Sequence, residues 1–153
     1  MLPIKPFRQT SGFCGAASLK MILEFYGIHK SEKELVKLTK CTKKRGTSAQ
    51  GILNAAKKLG LKGQIKNNAS LKDITKFLEM RIPVIVDWFS EDDGHYSVVA
   101  ALDKKNIYLQ DPELGHQKTI PLLTFMRIWF DFPGDFLASK KELILRRIIV
   151  IYL

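Results

Sequence analysis

The chain has 153 residues, of which 46% are hydrophobic and 26% are charged, and its formal net charge is +10. That length is enough for one domain with a buried core, and the composition excludes a disordered, collagen-like or disulfide-scaffold chain. The longest apolar runs, such as residues 148–153, are shorter than a membrane-spanning helix requires. We therefore expect one domain over residues 1–153 without a membrane span. Because no apolar signal segment begins the chain, we expect a cytoplasmic location.

The excess positive charge lies in the first part of the chain. Residues 1–60 hold 12 basic and three acidic side chains, whereas residues 61–153 hold 13 and 12. Such a field attracts nucleic acid, an anionic membrane surface or an acidic substrate, although a solvated surface that keeps a small protein soluble is the simplest explanation. The segment from Lys37 to Arg45 has no interleaved aromatic side chains and no recognition motif. A nucleic-acid-binding function is therefore the least favoured alternative, and no nucleic-acid partner is expected.

Helical spacing of apolar side chains, together with serine caps, predicts four helices in the first half of the chain. A Ser-x-x-Glu capping box at residues 31–34 marks the second helix, and Pro83 stops the fourth. The helices are predicted over residues 14–26, from residue 31, from about residue 48 to residue 60, from residue 70 to about residue 80, and in a last helical stretch over residues 121–129.

Short β-branched and aromatic segments follow the fourth helix. They are separated by turn-forming residues and predict an antiparallel meander over residues 83–89, 95–102 and 106–110, with a closing strand over residues 143–152. Helices first and strands afterwards indicate an α+β fold, in which N-terminal helices pack on a C-terminal antiparallel sheet.

Cys14 is the first residue of the most strongly predicted helix. Backbone N–H groups and the helix dipole favour a thiolate at that position, which makes Cys14 a candidate nucleophile. Cys41 follows a lysine in a predicted loop and has no flanking pattern that would activate it. The spacing of the two cysteines matches neither a CxxC redox motif nor a zinc site, so no metal or cofactor is expected.

A cysteine nucleophile needs a base, and the chain offers three histidines. His29 follows the first predicted helix at the end opposite Cys14, and His116 lies in a predicted surface turn. His95 stands at the start of an apolar strand, where the scaffold can hold its side chain against a cleft. His95 is therefore the candidate base.

The base needs an orienting partner, and the oxyanion of the reaction needs hydrogen-bond donors. Asp111 ends the strand predicted to lie beside the strand of His95, although Asp87 and Asp103 remain competitors for this role. One oxyanion donor is the backbone N–H of Cys14. The side-chain amide of Gln9, just upstream, is the candidate for the second.

Four sequence blocks resemble the C39 peptidases, the papain-like bacteriocin-processing cysteine proteases. These blocks are, in chain order, Gln9-Thr-Ser-Gly-Phe-Cys14-Gly-Ala-Ala, Arg45-Gly-Thr-Ser48, Gly94-His95-Tyr-Ser-Val-Val99 and Asp111-Pro112. The resemblance implies a papain-like α+β fold in which the cysteine helix packs across the sheet that bears the histidine and the aspartate.

The resemblance also implies a role for each candidate residue. Cys14 would be the nucleophile, His95 the general base, Asp111 its orienting partner and Gln9 an oxyanion donor. The best-known members of that family are N-terminal domains of ABC exporters, which cleave leader peptides after a Gly-Gly pair. A peptide or protein substrate is thus expected, with a Gly-Gly leader as a further expectation. Because this chain carries no Walker motif, an ABC exporter is expected as a separate partner.

The expected function is that of a cysteine peptidase that hydrolyses a peptide or related amide bond through a thioester. A non-catalytic peptide-binding module is the alternative, since some members of that family lose the nucleophile and only dock substrates. Retention of Cys14, His95 and Asp111 together favours the enzyme.

Overall fold

Serine caps set the start of three of the five helices. The computed structural model describes all residues from 1 to 153. Ser31 and Ser70 each form a capping box with the residue three positions later, and the Ser48 side chain accepts a hydrogen bond from the backbone N–H of Gly51. The helices are α1 (Cys14–Phe25), α2 (Glu32–Thr39), α3 (Ala49–Lys58), α4 (Leu71–Glu79) and α5 (Leu122–Ile128). None of them is long and apolar enough to cross a lipid bilayer.

Six of the eight strands form one antiparallel sheet, with the order β1-β8-β2-β3-β4-β5. The remaining two, β6 and β7, pair with each other. The strands are β1 (Lys62–Lys66), β2 (Val84–Ser90), β3 (Asp93–Leu102), β4 (Asn106–Asp111), β5 (His116–Pro121), β6 (Phe130–Asp131), β7 (Ile144–Leu145) and β8 (Arg147–Tyr152).

The large sheet carries a hydrophobic core on each face. Neighbouring residues of a strand point to opposite sides, so Ile85 and Ile149 join the core under α1, α2 and α3, whereas Val84 and Val150 join the core under α4 and α5. The predicted α+β architecture, with helices packed on an antiparallel sheet, is confirmed. The sheet is covered on both faces, which explains why its central strands consist of almost continuous apolar residues.

The strand predictions need three corrections. β1 lies between α3 and α4 and therefore precedes the expected start of the sheet. β5 begins at His116, which was expected to lie in a surface turn. The predicted strand over residues 143–152 is two strands, because Arg146 adopts a left-handed conformation with φ 45°. Both β1 and β5 are edge strands with mostly polar, exposed side chains. Such strands are held by their backbone ladder and leave little hydrophobic pattern in the sequence.

Candidate active site

Cys14 is the first residue of α1, and its side chain is half-buried. Phe13 occupies the N-cap position, and its apolar side chain provides no hydrogen bond to the first turn. The unpaired N–H groups at the start of a helix favour negative charge nearby. The local structure therefore places the Cys14 sulfur where both a thiolate and an oxyanion are stabilised.

A close approach between two segments fixes the position of this helix start. A Cβ atom on Gly15 would lie 2.6 Å from the Cβ of Thr47, so only glycine allows this packing. Gly12, with φ +87°, makes the turn that precedes the helix, and the backbone of Lys43 lies directly against it. The loop that joins α2 to α3 is thereby held beside Cys14.

His95 and Asp111 form a buried pair at the neighbouring ends of β3 and β4. The His95 Nε2 and Asp111 Oδ1 atoms are 2.5 Å apart, and the two side chains are only 7% and 3% exposed. The same Asp111 oxygen accepts a hydrogen bond of 3.0 Å from the backbone N–H of Glu113. Burial raises the pKa of Asp111, but the hydrogen bond and charge of His95 outweigh it and lower that pKa below its usual value.

The second ring nitrogen of His95, Nδ1, is left to face Cys14, because Nε2 is engaged by Asp111. Burial lowers the pKa of His95, whereas hydrogen bonds to Asp111 and Cys14 raise it, and the net result is a pKa of about 10. A pKa of about 10 favours the protonated ring at neutral pH, with Nε2–H donated to Asp111 and Nδ1–H left available to Cys14. This is the arrangement of an imidazolium that stabilises a thiolate.

Trp88 covers one side of the His95 ring. The two rings meet edge to face, with centroids 5.6 Å apart, and Trp88 is 2% exposed. The Trp88 Nε1–H donates a hydrogen bond of 3.0 Å to Ser97 Oγ, which fixes the indole in place. Because Trp88 keeps water from the imidazole, the electrostatic interactions of His95 act in a medium of low polarity.

Gln9 is tied to the segment that carries Asp111. Its backbone N–H donates a hydrogen bond of 2.8 Å to the carbonyl oxygen of Pro112, and its side-chain Oε1 is buried without a hydrogen-bond partner. All four predicted site residues are thus contributed by two segments, the approach to α1 and the adjoining ends of β3 and β4.

The competing candidates have other partners. His29 is bound to Glu24 and is 76% exposed, and His116 is exposed at the start of β5. Asp103 accepts hydrogen bonds within its own turn, and Asp87 lies beside Asp131. Neither carboxylate is hydrogen-bonded to His95.

Cys41 is buried, and its Sγ lies 3.8 Å from the carbonyl oxygen of Gly12. Burial raises the pKa of the Cys41 thiol. No group of three or more His, Cys, Asp or Glu side chains is arranged to hold a metal ion.

The sequence model of the peptidase C39 family matches residues 7–132, which contain all four of these side chains. The chain belongs to the peptidase C39 family. A C39 relative named transport/processing ATP-binding protein ComA, from Streptococcus pneumoniae, is 32% identical over 119 residues; the match covers 76% of this chain and 16% of ComA. An uncharacterized protein of Methanothermobacter marburgensis is 34% identical over 137 residues, which cover 88% of this chain and 87% of that protein.

Solved C39 structures have the same fold. The peptidase domain of Streptococcus ComA, described as a bifunctional ABC transporter involved in quorum sensing, matches with a TM-score of 0.75 and 24% identity over 97% of this chain and 98% of that domain. A double-glycine motif protease from an AMS/PCAT transporter, solved with a leader peptide, matches with a TM-score of 0.71 and 22% identity over 96% of this chain and 89% of that one. At these identities the likeness shows the fold, which is that of papain-like C39 peptidase domains.

Sequence reasoning missed three residues that shape this C39 site. Trp88 had only the pattern of a core strand residue. Its place opposite His95 in the β2–β3 register is what allows it to cover the imidazole ring. Thr47 contacts Gly15 across 32 positions of sequence, and Asp131 contacts Gly94 across 37. The available signal was the glycine in each pair, which a close approach requires.

Proposed function

We propose that this protein is a cysteine peptidase that hydrolyses a peptide or related amide bond through Cys14, His95, Asp111 and Gln9. The observation that carries this proposal is the buried hydrogen bond between His95 Nε2 and Asp111, with Cys14 at the start of α1 among the groups that raise the pKa of His95. A buried imidazole between a carboxylate and a cysteine at a helix N-terminus is the arrangement that activates the cysteine as a nucleophile.

In the proposed reaction, the Cys14 thiolate attacks the carbonyl carbon of the scissile bond. The negative charge that forms on the carbonyl oxygen accepts hydrogen bonds from the Cys14 backbone N–H and the Gln9 side-chain amide. The His95 Nδ1–H then protonates the leaving amine, and a thioester remains on Cys14. His95 next takes a proton from water, which attacks the thioester and releases the carboxylate product, while Asp111 keeps the ring oriented throughout.

For the substrate, we propose an extended or leader-like peptide that is cut after a small pair such as Gly-Gly. This proposal is supported by the relatives, which include ComA and the pediocin and lactococcin transport/processing proteins, and by the double-glycine motif protease that was solved with a leader peptide. Bacteriocin-type leader processing and a separate ABC exporter as partner belong to the same proposal. A non-catalytic peptide-binding module is the alternative, but it gives no reason for His95 to be buried beside both Asp111 and Cys14.

The test uses leader-like peptides that carry Gly-Gly before the scissile bond, with mass spectrometry of the products. The wild-type chain should release the two halves and accumulate a thioester adduct of the N-terminal half on Cys14. Cys14→Ala should abolish both signals while the melting temperature stays nearly unchanged. Binding of the same peptides by wild type and Cys14→Ala, without cleavage by either, would instead support the peptide-binding module.

A further inference from the structure

Asp87 is a buried carboxyl group that the proposed reaction does not use. It lies on β2, is only 2% exposed, and its Oδ1 atom has no hydrogen-bond partner. An ionised carboxylate in this position would leave a charged oxygen with neither water nor a donor to stabilise it, which is strongly unfavourable. The neutral acid carries a much smaller penalty.

The neighbour of Asp87 is a second carboxyl group, that of Asp131 on β6. The Asp131 carboxyl occupies the space left by the absent side chain of Gly94, since a Cβ atom there would collide with both of its oxygens. Asp131 Oδ1 accepts a hydrogen bond of 2.7 Å from the backbone N–H of Phe132 and is only partly buried. Asp131 Oδ1 thus has a backbone donor, whereas Asp87 Oδ1 has none.

No ion pair joins Asp87 to a positively charged side chain of the surrounding elements. Tyr96 of β3 and Arg147 of β8 are its partners in the strand register, and the Arg147 Nε–H is donated to Asn67. Burial raises the pKa of Asp87 well above its usual value, Asp131 raises it further, Arg147 lowers it, and the charge of Cys14 raises it again. Because Asp131 packs against Gly94, which directly precedes His95, this carboxyl pair lies beside the candidate base.

We propose that Asp87 and Asp131 share one proton, so that neutral Asp87 donates a hydrogen bond to ionised Asp131 and fastens β6 against the wall of the site beside Cys14 and His95. In this arrangement the pair carries one negative charge, as two carboxyl groups in contact do when they cannot both ionise. Asp87 is then a positioning residue. Loss of the shared proton would place a second negative charge beside the Cys14 thiolate and separate β6 from β2.

The first test measures the melting temperature of wild type, Asp87→Asn and Asp131→Asn between about pH 4 and 8. The unfolded chain releases the Asp87 proton above about pH 4, whereas the folded chain keeps it. The contribution of Asp87 to the stability of wild type is therefore lost as the pH rises, and Asp87→Asn lacks this part of the pH dependence. The melting temperature of Asp87→Asn minus that of wild type should increase with pH.

The opposite slope would overturn the proposal. An ionised Asp87 stabilised by Arg147 predicts that Asp87→Asn is less stable at neutral pH and recovers at acid pH. A difference that does not change with pH would mean that Asp87 titrates alike in both states, which also contradicts a shared proton. Asp131→Asn supplies an amide donor to Asp87 and should weaken the same pH dependence, and Asp135→Asn, on the exposed loop beyond β6, is the matched control that should leave it intact.

The second test reports the charge beside the nucleophile and rests on the proposed reactivity of Cys14. The ratio of alkylation rates with anionic iodoacetate and neutral iodoacetamide at Cys14 senses nearby charge. Asp87→Asn should leave this ratio unchanged at pH 7, because asparagine carries the same charge as neutral Asp87. A raised ratio would show that Asp87 is ionised and overturn the proposal. Lys43→Gln, beside Gly12, should lower the ratio and shows that the assay detects one charge.

The two tests separate this inference from the proposed function. The melting experiment needs no reactive Cys14 and no substrate, so it decides on the shared proton even if the chain cleaves no peptide. Conversely, the wild-type protein could cleave peptides while the melting-temperature difference of Asp87→Asn changes with pH in the opposite direction. That result would support the proposed peptidase and overturn the proposed carboxyl pair.

Discussion

The backbone N–H of Gln9 donates a hydrogen bond of 2.8 Å to the carbonyl oxygen of Pro112. This contact joins the approach to α1 with the segment that follows β4, and therefore connects the half of the site that holds Cys14 with the half that holds His95 and Asp111. Because the bond uses only the backbone of Gln9, substitutions of its side chain leave the connection in place.

Gln9→Ala should lower kcat for peptide cleavage by about 10²–10³. The side-chain amide is proposed to bind the oxyanion, which forms in acyl transfer but not in alkylation. The iodoacetamide rate at Cys14 should therefore stay at the wild-type value in the same variant. If both rates fell together, Gln9 would be supporting the position of Cys14 rather than the oxyanion.

Cys14 should react with iodoacetamide at pH 6–7 far faster than Cys41, because only the thiolate is alkylated. The raised pKa of His95 leaves a proton donor beside Cys14, whereas burial raises the pKa of the Cys41 thiol. Peptide mapping after short labelling measures both sites in one sample, and Cys41→Ser provides a control in which the Cys14 rate is unchanged. Equal or faster labelling of Cys41 would contradict the assignment of the nucleophile.

His95→Ala should remove essentially all peptidase activity, and Asp111→Asn should remove less. An amide can still accept the His95 Nε2–H bond that Asp111 accepts now. Because the two residues act as a unit, their losses should be non-additive in the double variant. Independent, multiplicative losses would show that Asp111 does not act through His95.

His95 should also make the stability of the fold depend on pH. Its pKa is raised to about 10 in the folded chain, so its contribution is complete below about pH 6.5 and is lost as the pH rises through about 10. The melting temperature of wild type minus that of His95→Asn should therefore be largest near pH 6 and shrink toward pH 10. A difference that grows with pH would mean that His95 is neutral in the folded protein.

Local signals predicted the three serine-capped helices well, because each of these caps is formed within four residues. Ser31 and Ser70 bond to the helix that they begin, and no distant contact is needed to place them. The candidate residues Cys14 and His95 were also recognisable, since each begins a strongly patterned element.

The features that the sequence did not reveal depend on contacts between distant segments. The packing of Trp88 on His95 depends on the β2–β3 register, and the proposed carboxyl pair depends on the contact between Asp131 and Gly94. No local sequence pattern indicates either of these contacts. Asp87 therefore seemed only a competitor for the role of Asp111, although it lies against a different partner.

The basic charge of residues 30–58 has a definite location in the structure. Lys40, Lys57 and Lys58 line a cavity of about 300 Å³ between α2 and α3, and none of them is in an ion pair. Closer to the nucleophile, the exposed turn that contains Lys43 packs against Gly12. A peptide with acidic residues distant from the scissile bond would be attracted by these lysines, from the α2–α3 cavity to the turn that contains Lys43.

Cleavage should therefore require a small residue at the bond and acidic residues farther away. The close packing of Gly15 on Thr47 keeps the α2–α3 loop against the start of α1, so we expect Gly-Gly or Gly-Ala before the bond to be cut and phenylalanine or arginine to be rejected. The kcat/KM for an acidic peptide should fall between about 50 and 500 mM salt, because screening weakens exposed charge pairs. The double variant Lys57→Gln/Lys58→Gln should show part of that loss at low salt, whereas Lys140→Gln/Lys141→Gln, on the exposed 3-10 turn, should not. A preference for large or basic residues before the bond, without salt dependence, would refute both parts of this prediction.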